Sequence, residues 1–373
     1  NLMMKYYKNF RISDDENYRM GYINNAPNPK LRWEKTRDVK VALDFGLWKD
    51  RINGIVEAYW RKSKDCVTSE YVPVTTGFFN QSYNTSVLQN NGVEFSLSVA
   101  VLKSKDYNLS VSANVAWNQN KLKKYNSPNT SLALDKYVGY PMGAVFSGKY
   151  EGIDPETGMY KFKLRPDAVT NKDGYLREPN NYYYYLGTSV APFTGGFNLN
   201  FSYKNIGLSV GGSYSVKAKM VDNIESPAGY ELLSGSKLES IPTPHNDLYR
   251  NHLNVKREVR NRWTPENRTG VKYPRLIDAY GKKLGLDLTN PTLTTITRGA
   301  LLEDISYLRI NTIALSYSLP QRVLERINFS SAALNLTLNN FFTITKYSGI
   351  DPEVPGATYP VSRSVTIGLN VGF

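Results

Sequence analysis

The chain has 373 residues, a formal charge of +13 and an aromatic complement dominated by 28 Tyr, against 14 Phe and 5 Trp. That length fits two or three soluble domains or one large barrel, and no run approaches the roughly 18 apolar residues of a membrane helix, which excludes helical spanning but not spanning by strands. The basic residues are scattered in short clusters at 61–64, 121–124 and 256–262 with no stripe on a reading helix, so the charge does not point to nucleic acid.

After a polar, aromatic-rich lead of about thirty residues, Val39, Val41, Leu43, Phe45 and Leu47 alternate with Asp38, Lys40, Ala42, Asp44 and Gly46. A tight turn at 49–51 precedes a return strand with Ile52, Gly54, Val56, Ala58 and Trp60 on one face, ending in the aromatic pair Tyr59 and Trp60. The stretch 62–89 reads as a loop. It holds Cys66, which as the one cysteine permits no internal disulfide and is expected to be a buried or inert thiol. Val93, Phe95, Leu97, Val99 and Val101 form a third strand. Beyond a short turn at 104–106, Tyr107, Leu109, Val111, Ala113, Val115 and Trp117 form a fourth.

The same alternation returns over 197–203 and 206–214, on either side of a turn at Lys204 and Asn205. In 306–319 the apolar phase slips from Leu308 and Ile310 to Ile313, Leu315 and Tyr317, which predicts a bulge near Asn311. A connection over 320–328 leads to Ala332, Leu334, Leu336 and Leu338. The final strand presents Val365, Ile367, Leu369, Val371 and Phe373 on one face, with small or polar residues between them.

Alternation alone does not say whether a greasy face meets a core or lipid. Length does: soluble strands average about 5 to 6 residues, whereas these alternate over about nine or more, and nine tilted residues span the roughly 25 Å apolar band of an outer-membrane barrel. The pattern therefore predicts an all-β fold of about nine long antiparallel strands, with short turns on one side and long loops on the other. Short strands within 119–192, such as 145–150, are expected in pairs, as a projecting hairpin. By the usual barrel orientation the C-terminus is periplasmic and the long loops extracellular. Nine is odd, while a single-chain bacterial barrel has an even, fully paired count, so part of the sheet is expected outside this stretch. The opening Asn-Leu-Met-Met-Lys lacks a basic head and apolar core, so no signal peptide is expected within it.

Several motifs then acquire a common meaning. Leu31-Arg-Trp-Glu-Lys-Thr36, Arg51-Ile-Asn-Gly54, Asn91-Gly-Val-Glu-Phe95, Gly152-Ile-Asp-Pro-Glu-Thr-Gly158, Asn261-Arg-Trp-Thr-Pro265, Ser306-Tyr-Leu-Arg309, Asn339-Asn-Phe-Phe342 and Thr345-Lys-Tyr-Ser-Gly-Ile-Asp-Pro-Glu353 resemble, in order and over nearly the whole chain, the C-terminal part of SusC/RagA-type TonB-dependent transporters. The resemblance implies that residues 1–373 are the C-terminal part of one 22-stranded barrel domain, with the plug and N-terminal strands not in this stretch. It also implies a SusD-like surface lipoprotein as partner, coupling to the TonB complex through the N-terminal part, and import of an oligosaccharide or peptide across the outer membrane.

Candidate sites follow from the residues. Asp38, Asp44, Glu57 and Glu94, among Asn, Ser and Thr on the wet faces, suit a hydrated interior that contacts a plug or a polar solute. Tyr182, Tyr183, Tyr184 and Tyr185 stand in an external loop, where aromatic faces stack on sugar rings or peptide side chains; a packed loop or a partner contact would use them as well. Trp263 is a second loop candidate, expected to fix the fold of its loop after a helix-like stretch over 247–260. The echoed Gly-Ile-Asp-Pro-Glu at 152–156 and 349–353 reads as turn initiation. Its carboxylates lack the spacing of an EF-hand calcium loop. His245 and His252 have no evident third ligand, so no metal or other cofactor is expected. No nucleophile, base and orienter set and no phosphate loop appear, which points away from an enzyme. A passive porin and an adhesin or receptor barrel without transport are the alternatives to an active importer.

Overall fold

The computed structural model describes residues 10–12, 21–23, 26–125, 137–156, 158, 160–169, 181–221, 261–271, 298–355 and 359–373. Among them are sixteen strands: β1 (Phe10–Ile12), β2 (Gly21–Ile23), β3 (Lys35–Leu47), β4 (Ile52–Tyr71), β5 (Asn80–Lys103), β6 (Tyr107–Tyr125), β7 (Ala144–Ile153), β8 (Tyr160–Lys163), β9 (Tyr183–Thr188), β10 (Phe193–Tyr203), β11 (Ile206–Val216), β12 (Lys219–Val221), β13 (Leu302–Asp304), β14 (Tyr307–Ser318), β15 (Ser331–Thr345) and β16 (Ser364–Gly372). Nine join in one sheet in the order β16-β15-β14-β11-β10-β6-β5-β4-β3. These are the nine strands that the alternation predicts. No helix among the described residues is long and apolar enough to cross a membrane, which has no bearing on crossing by strands. The chain divides into two compact units, 1–143 with 192–197, and 144–191 with 198–373.

In the first unit, the register lines up apolar rows across the strands. Leu43 pairs with Val56, Val56 with Phe95 and Phe95 with Val115, and Leu47, Ile52, Val99 and Val111 form a parallel row. Val39, Val41, Leu43, Leu47, Val56 and Trp60 are all exposed. A contiguous bare apolar face of this extent marks a surface built to be covered. The opposite face is polar: Ala42, Glu57, Glu94 and Ala116 form one row, and Gly46, Asn53, Ser98 and Ser112 another.

The stretch 62–89, expected as a loop, is mostly strand. β4 runs on to Tyr71 and β5 begins at Asn80, and their ladder continues through irregularities at Cys66. Alternation fails to announce this because it records a contrast between two environments, and beyond the apolar band both faces meet polar surroundings. What holds the extension is polar. The Asn28 side-chain amide donates to Ser82 O (2.6 Å), that of Asn84 to Asp65 O (2.6 Å), and the Val67 N–H to Glu34 Oε1 (2.7 Å). Leu31, Leu122, Tyr125 and Cys66 are all buried. Cys66 therefore sits in a strand rather than a loop, and it is buried. Glu70 is fully buried there, accepting from Tyr125 Oη at 2.6 Å and Thr68 Oγ1 at 2.7 Å, while Thr68 and Thr85 share a hydroxyl hydrogen bond.

In the second unit, Ile313 pairs with Leu338 and Leu338 with Val365; Leu315, Leu336 and Ile367 follow, then Tyr317, Leu334 and Leu369. The interleaved rows carry Thr312, Asn339 and Ser364, then Ala314, Thr337 and Thr366. The bulge expected near Asn311 is present, with register shifts between Ile310 and Thr312 and between Gly211 and Gly212. The 320–328 connection contains a helical turn, α1 (Gln321–Arg326), opened by Pro320 and seated on buried Leu324. Phe373 meets Phe329, at the end of that connection, edge to face at 5.2 Å. The 119–192 stretch holds three short strands in the order β8-β7-β9, not a simple hairpin. Parity constrains only strands of the large sheet, and these three are not among its members.

Candidate functional site

The polar face of β3 to β6 is a charged wall. Lys40 Nζ donates to Glu57 Oε1 at 2.7 Å, and Arg61 Nη2 to Asp38 Oδ2 at 2.7 Å. Glu57 and Glu94 stand directly opposite each other across β4 and β5. Like charges at paired positions repel, and Lys40 offsets that repulsion, bonded to Glu57 and close enough to Glu94 and Asp38 to interact with both. The exposed pairs themselves contribute little stability, because solvent screens them. Tyr59 crosses from β4 over Gly92 of β5 and donates its hydroxyl to Asn118 Oδ1 at 3.1 Å. A Cβ at Gly92 would come within 2.4 Å of that ring, so the glycine of the Asn-Gly-Val-Glu motif is required by close approach.

In the second unit, β14 carries Arg309, which is 3% exposed. Its Nη2 donates to Asp351 Oδ1 at 2.5 Å and its Nε to Thr343 Oγ1 at 3.2 Å, and Nη1 lies 2.7 Å from Glu353 Oε2. Asp351 also accepts the N–H of Glu353 (2.9 Å) and of Val361 (3.1 Å), so one carboxylate ties both limbs of the β15–β16 connection to the β14 wall. Burial alone would raise the Asp351 carboxyl. The two backbone N–H groups and the guanidinium outweigh it and hold the carboxyl below its usual range. Residues 303–306 and 345–348 add a second tie, since Glu303 Oε2 accepts the Ser348 N–H at 2.8 Å and Ala218, Ile305 and Tyr347 pack together in a small core.

Both copies of the echoed pentapeptide are turns of one kind: Asp154 Oδ1 accepts the Glu156 N–H at 3.1 Å, as Asp351 Oδ1 accepts that of Glu353. The first copy is capped by Trp263, whose buried indole N–H donates to Pro155 O at 2.9 Å. The structure thus places Trp263 as a clamp on the 154–156 turn. Its preceding helix-like stretch, His245 and His252 lie outside the described residues. Tyr183, Tyr184 and Tyr185 belong to β9, with Tyr182 just before it. A strand sends alternate side chains to opposite faces, so the four tyrosines do not act as one surface. The Tyr184 hydroxyl donates to Leu164 O at 2.9 Å, and Tyr185 packs at 5.7 Å from Phe146. Among the described residues no group of three or more His, Cys, Asp or Glu gathers as a metal ion would require.

The role of Arg309 and Asp351 escapes sequence reading. Both lie in motifs, but 42 residues separate them and no spacing rule joins them. The one available signal is an arginine at a polar-phase position between Leu308 and Ile310.

Long antiparallel strands with, in each unit, one apolar face and one polar face, joined alternately by short turns and longer segments, define this chain as the wall of a membrane β-barrel. No family model matches the chain. It is 25% identical over 386 residues to the TonB-dependent receptor P26 of Formosa agariphila, covering 94% of this chain and 36% of that protein. To the TonB-dependent receptor SusC of Bacteroides thetaiotaomicron it is 25% identical over 373 residues, covering 93% and 33%. The solved RagAB peptide transporter superposes with a TM-score of 0.74 at 26% identity, over 99% of this chain and 39% of that one. The resemblance to SusC/RagA-type TonB-dependent receptors read from the motifs therefore holds in sequence and in fold. The chain spans about a third to two fifths of the length of these relatives.

Proposed function

We propose that this chain is the C-terminal part of the barrel of an outer-membrane, TonB-dependent active importer of an oligomeric nutrient, a glycan or a peptide, and that it is not an enzyme. The observation that carries the reading is the set of aligned apolar rows on one sheet face, with a polar, charged face behind them, in a chain similar throughout to receptors of this type. In this reading the apolar rows meet outer-membrane lipid and the C-terminus is periplasmic. The wall bearing Asp38, Lys40, Glu57, Arg61 and Glu94 lines a hydrated interior and meets the plug or a polar solute. A SusD-like lipoprotein caps the external loops, and TonB acts through the N-terminal part of the full-length protein.

The test is uptake by intact cells expressing the full-length protein. Uptake is expected to stop when the proton gradient is collapsed and to be lost when residues 221–298 are deleted. Uptake that persists without the gradient overturns active import in favour of a passive pore. Ligand capture with no uptake at all overturns it in favour of an adhesin or receptor.

A further inference from the structure

The last two strands are unequal. β15 runs to Thr345, but its ladder with β16 stops at Asn339 and Ser364, so residues 340–345 rise past the end of β16. The chain must come back over about 20 Å of strand height. It does so on the polar side of the sheet. Ser213, Arg309 and Thr343 form a polar row across β11, β14 and β15, flanked on the opposite face by Leu308 with Ile344 and by Ile310 with Phe342. Asp351 reaches that row through Arg309, which also holds Thr343. On the other side of the sheet at the same height, Leu308, Phe342 and Ile344 are exposed. The returning limb is seated as well: Asn340 donates its side-chain amide to Ser362 O at 3.0 Å, and the Val361 N–H reaches Asp351. Asn340 stands at the bulge with a φ of 59°, a left-handed conformation that asparagine tolerates. Asp351 and Pro352 are buried, while Ile350, Val354 and Tyr359 are exposed, Tyr359 to 81%.

We propose that the β15–β16 connection is a constriction built into the mouth of the lumen, and that Ile350, Val354 and Tyr359 are the side chains a passing solute meets. The apolar rows mark the height of the lipid, and the polar face of a barrel wall lines its bore. A segment fastened to that polar face at the height of Leu308, Phe342 and Ile344 therefore lies within the bore rather than above it. The fastening is that of a fixed restriction. One buried guanidinium holds both the wall and the segment, and one carboxylate holds both limbs of the connection. The inference rests on the import reading for what passes, but the position of the segment is measured without transport.

The experiment uses the full-length protein, purified in detergent, carrying Val354→Cys, Tyr359→Cys or, as a reference, Phe79→Cys, which replaces an exposed residue between β4 and β5. The parent, with Cys66 buried, is the blank. Each variant is labelled with N-ethylmaleimide and with a bulky polyethylene glycol maleimide. The reference is expected to react with both. At 354 and 359 the small reagent should react, and the bulky one should be slower by about ten-fold relative to the reference, because access and not thiol chemistry differs. Adding Arg309→Met should bring the bulky reagent back towards the reference rate. Equal reaction of the bulky reagent at all three positions, no reaction of either reagent at 354 and 359, or an unchanged ratio in a folded Arg309→Met variant would each overturn the constriction. Any of these alongside gradient-dependent uptake removes the constriction and leaves the import reading in place. The expected labelling alongside gradient-independent uptake does the reverse.

Discussion

Arg309 and Asp351 form a buried pair, 3% and 5% exposed, and removing one member of such a pair leaves the other charge uncompensated at a cost of about 3–5 kcal/mol. Arg309→Met is therefore expected to free the β15–β16 connection from β14, seen as faster amide exchange over 346–355. A second change, Asp351→Asn, should recover part of that loss. The pH dependence follows from the depressed carboxyl. Its folded value lies below its unfolded value of about 3.9, so its contribution is complete above that pH and is lost as the pH falls through the folded value. Acid opening of the loop below about pH 4 is the expected result, and Asp351→Asn should remove that step. Cys66 gives a second residue-scale prediction. Burial in the β4–β5 extension pushes its thiol up, so a maleimide should leave it unlabelled in the folded protein and label it fully once unfolded.

Each strand of the large sheet divides its residues between two environments, and substitutions should follow that division. Leu43 stands on the apolar face of β3 and Ser96 on the polar face of β5. Leu43→Arg in the full-length protein should cost about 2–4 kcal/mol if the apolar face meets lipid near the midplane, read as a lower urea midpoint in bilayers. Ser96→Arg should cost far less. Equal effects would contradict the assignment of faces. The glycine in Asn-Gly-Val-Glu belongs to this scale as well, because it lets the Tyr59 ring lie across two strands. Gly92→Ala is expected to displace that ring, break its hydrogen bond to Asn118 and destabilise the β4–β5 pair by about 1–3 kcal/mol.

For the whole molecule, β3 and β16 stand at the two ends of the nine-strand order, each with one neighbour in the sheet. An unpaired strand edge in a bilayer leaves backbone groups that neither water nor lipid satisfies. In the proposed importer the remaining strands of the full-length barrel lie against these edges. Expressed alone, residues 26–373 should thus fail to insert as a folded species, and co-expression with the upstream part of the same protein should rescue insertion, both measured by protease resistance in outer-membrane fractions.

The sequence by itself determined that nine strands form the large sheet and where each crosses the apolar band. A side-chain period of two across an apolar–polar boundary is written directly in the chain, so nine strands, the bulge at Asn311 and the face carrying Val365, Ile367 and Leu369 were all legible. Where that boundary disappears, so does the signal. The extensions of β4 and β5 past Trp60 have no two-environment contrast, which is why 62–89 reads as a loop, and the α1 turn in a short connection has too few residues to show a period. Only the tertiary structure decided which distant residues meet. Arg309 finds Asp351, Trp263 caps the 154–156 turn, and Phe146 packs on Tyr185. These contacts depend on where the ladders bring separate segments together, a matter of register and burial that no local spacing encodes.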